Sequence, residues 1–416
     1  MSEPSRLRDD ADWRRFLSSR LVSITGSSVT YVALPVLVYS MTSSPLLTSL
    51  VASLEALPYL MFGLPAGALA DRFDRKRVMV LTDLVNAVVL ATVPLAAWFD
   101  VLTVPHVLAV AFVVPTLFVF FDAADFGALP TLVGRARIVV ANSAVWSAST
   151  VVETVVPVAA GAMFAVVSPS TLLGVDALSY VGSALLIRAI VRPLSGPARE
   201  AARLTGRALV ADVREGLRFL WQHETVRTMT IVGAAQSLCG GAFVGLLVVW
   251  ADRVLGVRQG DWRLGAVFGS WGIGVLLTTL LMPRVVGRFG VARVTLYALP
   301  FSLLMSVVVT LTQEWVAASI ATAIWGVAYM AVVLNAITYR QQVTPEPLMS
   351  RVNTTGRMLS FGLGTPVGAL LGGLVAEATG PRGGMLAGSV VLAGGVVVAW
   401  TSPLRGEGAA AQELAG

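Results

Sequence analysis

Charge is what this sequence most lacks. Of its 416 residues, 13% are Asp, Glu, Lys or Arg, about half the roughly 25% of a soluble domain. Apolar residues make up 56%, and the mean hydropathy is +0.78. So little polar surface excludes an ordinary soluble enzyme, a disordered protein and a nucleic-acid binder. The single cysteine, Cys239, makes no internal disulfide and leaves no zinc or redox framework. Two histidines, His106 and His223, exclude most His-based metal sites. Also missing are Gly-x-x-x-x-Gly-Lys-Ser/Thr, His-Glu-x-x-His and Gly-x-Ser-x-Gly, which argues against ATP hydrolysis or any other enzyme activity. No cofactor is implied.

What the chain does have is long apolar runs. A helix crosses the hydrocarbon core in about 20 residues, and twelve runs of that kind are present: 17–40, 45–68, 78–98, 105–127, 138–163, 170–191, 227–250, 264–284, 291–312, 315–339, 351–376 and 383–402. Open strands cannot span lipid because their edge amides stay unpaired, so the expected fold is an all-α integral membrane protein. The first run follows a charged segment and no small-residue cleavage site closes it, so no removable signal peptide is read.

Cations set the orientation. With the leading five taken as Arg6, Arg8, Arg14, Arg15 and Arg20, 26 of the 30 Lys and Arg fall on the side that carries both chain ends. Both termini are therefore expected in the cytoplasm. The net charge of +6 is then a topology signal rather than a sign of a nucleic-acid partner.

The chain divides into 1–191, a linker at 192–226, and 227–416. Within the linker, Leu209, Val210, Val213, Leu217, Leu220 and Trp221 share one helical face, as expected of a helix lying on the inner leaflet. The two halves repeat: Asp71-Arg72-Phe73-Asp74 matches Gly287-Arg288-Phe289-Gly290 at a shift of 216, and Asn142 and Gly161 match Asn353 and Gly372 at a shift of 211. Two parallel six-helix units, with a site at their interface near the bilayer midplane, are one known way to build a secondary transporter.

Gly63 to Arg77, reading Gly-Leu-Pro-Ala-Gly-Ala-Leu-Ala-Asp-Arg-Phe-Asp-Arg-Lys-Arg, resembles the loop signature between spans 2 and 3 of the major facilitator superfamily, with Asp74 in place of its second glycine. Further stretches are similar to the macrolide-efflux and enterobactin-exporter branch of its drug:proton antiporters: Arg20-Leu21-Val22-Ser23, Asp176-Ala177-Leu178-Ser179-Tyr180, Asp212 to Arg218, and Arg351-Val352-Asn353. The resemblance covers the whole chain. It implies a monomeric secondary transporter in the bacterial cytoplasmic membrane that exports amphipathic small molecules, drugs such as macrolides, in exchange for protons. A dedicated exporter of one endogenous metabolite and an uptake symporter remain open. The helix 5 drug-antiporter signature is incomplete, with Val156-Pro157 followed only by Gly161.

The resemblance also implies a latch at the cytoplasmic mouth, built from Asp71, Arg72 and Arg75 with Asp122 or Asp125 at the end of span 4. Ionisable groups at membrane depth are functional candidates in their own right. Glu55 lies near the middle of span 2 and Glu153 in the outer half of span 5, making them candidate proton-coupling groups. Asp83 and Asp176 are expected to pair with helix ends or hydroxyls. Trp146, Trp271 and Trp325, with Tyr31, Tyr329, Gln236 and Asn335, have suitable depth for a substrate site. Glycines spaced by four, such as Gly63/Gly67, Gly265/Gly269 and Gly364/Gly368, suit close helix approach.

Overall fold

The computed structural model describes residues 7–70, 72–134, 137–195, 206–258, 260–345 and 348–406. Its helices are α1 (Ala11–Thr42), α2 (Pro45–Ala70), α3 (Arg75–Trp98), α4 (Val104–Val133), α5 (Ile138–Met163), α6 (Pro169–Arg188), α7 (Gly206–Gln222), α8 (Glu224–Arg253), α9 (Trp262–Phe289), α10 (Val291–Leu311), α11 (Trp315–Val343), α12 (Met349–Arg357), α13 (Gly364–Thr379) and α14 (Pro381–Thr401). Twelve helical segments among the described residues are long and apolar enough to cross a membrane. The last-but-one is composite: one π-helical turn, Met358–Leu363, joins α12 to α13. Pro366 has no N–H to offer the carbonyl of Gly362, and a wider turn just before it accommodates the missing bond.

Polar residues mark the helix starts. Asp10 caps α1 by accepting the N–H groups of Asp12 (3.1 Å) and Trp13 (3.2 Å), so this helix begins six residues before the expected span. Asp74 caps α3 through the N–H of Arg77 at 2.8 Å. In the second half Gly290 stands at the matching place before α10, with φ +77°, where a side chain would be strained. The departure from the loop signature at Asp74 thus has a local reason: that half closes the turn with a carboxylate cap instead of a left-handed glycine.

The packing has a two-fold pattern. In the first half α1 packs on α6, α3 on α6 and α4, α2 on α4, and α1 on α5; in the second, α8 packs on α14, α10 on α14 and α11, α9 on α11, and α8 on α13. Two further seams join the halves and also match each other, α5 on α9 and α2 on α13. This is the major facilitator fold. Helix α1 starts and helix α14 ends on one face of the bundle, the terminal face.

Both seams are shut near the opposite face. At Gly161 of α5 an added Cβ would stand 2.2 Å from the Cα of Gly265 of α9, so only glycine permits this approach. Gly63, by contrast, has nothing within 4 Å of an added Cβ and takes no part in close packing. Hydrogen bonds add to the closure. Tyr39 donates to Asp252 (2.7 Å), Arg253 donates to the Tyr39 hydroxyl (3.3 Å) and the Ser43 carbonyl (2.6 Å), and Glu377 accepts from the Leu46 N–H (3.2 Å) and the Ser44 hydroxyl (3.3 Å). Deeper in, Ser53 of α2 donates to the Pro366 carbonyl of α13 at 2.9 Å.

The linker helix α7 forms as expected, with a difference in what it covers. Leu220 is buried with Val226 and Val352, and Phe219 packs beside them, while Leu217 and Trp221 stay exposed. Part of its apolar face therefore docks on the second half and part is left for another surface.

Candidate functional site

Mid-depth groups from both halves meet between them. Glu55 lies ten residues into α2, roughly 15 Å from its start, about half the hydrocarbon thickness. Tyr31 of α1 is within electrostatic range of Glu55 and of Tyr329 on α11. The Tyr31 ring meets Phe268 of α9 edge-on at 6.4 Å, and Tyr329 meets Trp271 at 4.8 Å. Tyr31 nevertheless remains 42% exposed. A ring that touches the opposite half and is still accessible lines a space between the halves. With both seams shut near the opposite face, that space is closed off from that side. One carboxyl, two phenols and an indole around this space suit a flat, partly apolar ligand carrying a polar or cationic group.

Three other candidate ligand residues are held inside the second half instead. Trp325 is 1% exposed and Gln236 is fully buried, and both donate to the hydroxyl of Ser302, at 3.0 and 2.7 Å. Asn335 donates to Thr295 at 3.1 Å. Trp325 also meets Trp271 edge-on at 5.2 Å, so it backs the cleft from a second layer. Trp146 of α5 is 72% exposed and sits one heptad before Glu153 on the same helical strip. Glu153 is itself exposed and lies within electrostatic range of Arg20.

The latch residues are described in part. Asp71 lies outside the described residues, and Arg72 is exposed. Arg75 reaches helix α4 at the Gly127 carbonyl (2.8 Å) and the Thr131 hydroxyl (3.5 Å). Asp125 turns away from the loop and into the first half, with its carboxylate 3.6 Å from Arg20 of α1. Asp122 is half-buried one turn before it; Tyr59 of α2 stands within electrostatic range of Asp122, Arg20 and Arg357.

Arg20 is the residue that sequence reasoning missed. Counted among the leading cations, it is in fact nine residues inside α1 and 8% exposed. The available signal was Asp10 followed by Asp12, a helix start well before the apolar run. Asp176 meets the expectation of pairing with hydroxyls, accepting from Thr30 and from Ser179 (2.8 Å). Asp83 does not: it is 1% exposed, and neither carboxylate oxygen accepts a hydrogen bond.

On the terminal face a polar clamp ties the chain start to the end of helix α6. Asp12 accepts the N–H groups of Val191 (3.1 Å) and Arg192 (3.0 Å), and the Arg192 guanidinium bonds Asp10, Asp12 and the Leu132 carbonyl. Burial acts to raise the pKa of the Asp10 carboxyl. The bonds from Arg192, Trp13 and Asp12, with the guanidinium charge, outweigh burial and hold it below the ordinary value.

Comparison with known proteins places the chain among membrane transporters. The family model for "Transmembrane secretion effector" matches residues 7–415. The multidrug efflux pump Tap of Mycolicibacterium fortuitum is 31% identical over 399 residues, covering 94% of this chain and 95% of that protein. Macrolide efflux protein A of Streptococcus pyogenes is 22% identical over 407 residues, covering 93% and 95%. Among solved structures, a bacterial homologue of the human lysosomal transporter Spinster, inward-facing and occupied, aligns with a TM-score of 0.74 at 15% identity, covering 95% of this chain and 97% of that one. The nucleoside transporter NupG aligns with a TM-score of 0.73 at 14% identity, covering 93% and 97%. At such identities these two alignments speak for the fold alone.

Proposed function

Since the chain belongs to the transmembrane secretion effector family of major facilitator transporters, we propose that it exports amphipathic small molecules, drugs such as macrolides among them, by proton antiport and alternating access. The similarity to pumps named for multidrug and macrolide efflux supports the substrate class. The skew of cations toward the terminal face supports placing that face in the cytoplasm, so that the cleft is the inward-facing arrangement and the shut seams are the outer gate.

One observation carries the coupling: Glu55 is a mid-depth carboxyl beside Tyr31, which itself lines the cleft. A carboxylate there attracts a cationic or polar ligand. Once protonated, it loses that attraction and lets the ligand go. Proton and substrate then compete for one group, and the site is offered to each side in turn as the gates alternate. Glu153 is a second exposed acid, within electrostatic range of Arg20, and serves as a proton route. The transporter works as a monomer with no cofactor beyond the proton gradient.

The test uses inside-out vesicles with an imposed proton gradient, a pH-reporting dye, and macrolides, tetracyclines and cationic dyes as probes. Wild type is expected to dissipate the gradient when a substrate is added, and Glu55→Gln, the neutral mimic of the protonated group, to bind cationic probes more weakly and not to dissipate it. Full gradient-driven efflux by Glu55→Gln would overturn the coupling role.

A further inference from the structure

Arg20 stands among more carboxyl groups than it can neutralise. Asp125 on α4 lies 3.6 Å from its Nε, and the ring of Phe121 lies 5.3 Å beneath its guanidinium carbon. Asp83 on α3 is within electrostatic range of Arg20, of Asp125 and of Asp176 on α6. Glu153 on α5, Asp122 on α4, and the phenols of Tyr59 on α2 and Tyr180 on α6 are further titratable groups around it among the described residues. Arg20 is nine residues into α1, Asp83 eight into α3, and Asp125 eight before the end of α4. All three therefore sit roughly 12–14 Å from the terminal face, in one layer.

This layer is under-bonded. Arg20 Nε and Nη1, Asp125 Oδ1, both oxygens of Asp83 and both amide atoms of its neighbour Asn86 are buried without a hydrogen-bond partner. Ser183 is beside Asp83 but outside bonding geometry. Asp176, next to them, shows what a settled buried carboxyl looks like, with two hydroxyl donors and Gly26 making room for it. An unpaired carboxylate without donors is costly in a low-dielectric interior, and the single charge of Arg20 neutralises only one of the two carboxylates. A set of this kind has two good arrangements, each needing one proton.

The geometry points to a second proton-binding site, built from Arg20, Asp83 and Asp125 inside the first half, in which Arg20 exchanges one carboxylate for the other as one proton binds Asp125 and another leaves Asp83. With Arg20 on Asp125, as here, Asp83 carries the proton. When a proton binds Asp125, its pair with Arg20 is broken, the guanidinium turns to Asp83, and the Asp83 proton leaves. Asp122 and Glu153, the accessible acids at the edge, are the groups through which protons reach the layer. This rests on the reading of the chain as a proton antiporter and gives protons a route through the first half besides Glu55.

Infrared spectroscopy of the purified full chain tests it without knowing the substrate. The protonated Asp83 gives a carboxylic-acid C=O band at about neutral pH that shifts in heavy water. The expected result is loss of that band in Asp83→Asn, and its loss also in Asp125→Asn, where Asp83 is intact but Arg20 has become its partner. Elution volume and thermal midpoint report whether each variant is folded. Asp125→Asn keeps the test open if Asp83→Asn does not fold. A band that persists in folded Asp125→Asn would overturn the exchange, and a spectrum of Asp83→Asn identical to wild type would overturn the site. Glu55→Gln, run alongside, should leave this band in place. If Glu55→Gln transports normally while the Asp83 and Asp125 results hold, the coupling role of Glu55 fails and this site stands.

Discussion

Gly265→Ala should open the gate opposite the terminal face, and the size of the effect follows from the seam. A Cβ at Gly265 would stand 2.4 Å from the Val158 carbonyl oxygen and 2.9 Å from the Gly161 Cα. Both are backbone atoms, so no side chain can rotate aside and helices α5 and α9 must part. Overpacking of this kind costs typically about 1–3 kcal/mol. That cost falls only on the arrangement in which the seam is shut. The balance between shut and open therefore moves toward open by about 5–150-fold. Nitroxide labels at Val101→Cys and Val316→Cys, exposed positions on different halves near that face, would report it by electron–electron resonance, with the buried Cys239 replaced by serine. A longer-distance population should grow in Gly265→Ala. The control is Gly394→Ala, where an added Cβ meets nothing within 4 Å; it gains about 1 kcal/mol of helix propensity and should leave the distances unchanged. A wild-type distance distribution in folded Gly265→Ala would refute the steric argument.

Arg192→Ala removes the clamp between the chain start and the end of α6. With the side chain of Arg192 39% exposed, solvent screening limits the loss to about 1 kcal/mol, read as a lower thermal midpoint. Asp10 is held below its ordinary pKa, so its contribution is fully present above about pH 4 and is lost as pH falls through the depressed value. Wild type should therefore lose more stability than Arg192→Ala on acidification through that window, and parallel acid profiles would count against the clamp. Trp325→Phe removes the donor to Ser302 and should lower thermal stability by about 1 kcal/mol with little change in ligand affinity. Tyr31→Ala, by contrast, should weaken binding of a transported dye, measured by fluorescence titration. The reverse pattern would place the ligand among the second-half core residues.

Much of the candidate cleft was legible in the sequence. Glu55, Tyr31, Trp271 and Tyr329 were identified from depth alone, because rise per residue converts position in a span directly into height in the bilayer. Height does not say which way a side chain points. Trp325, Gln236 and Asn335 share suitable depth with Trp271 and Tyr329, yet they face inward to Ser302 and Thr295. Nor does height say what stands opposite. Arg20 and Asp125 are far apart in the chain, as are Gly161 and Gly265, and their meeting depends on how each helix is rotated against its neighbours.

The sequence by itself determined twelve spans, a charge bias toward one face, a repeat of six helices and the transporter family. These follow from local composition and spacing, which burial in lipid and short motifs read one segment at a time. Tertiary structure alone decided that both seams between the halves are shut on the face away from the terminal face. It also decided that Asp125 serves Arg20 rather than the loop, and that Asp83 is left without a donor while Asp176 has two. The reason is physical: in lipid the apolar surface of a helix does not select its partner, so rotation and pairing are set by close packing and by where polar groups find one another.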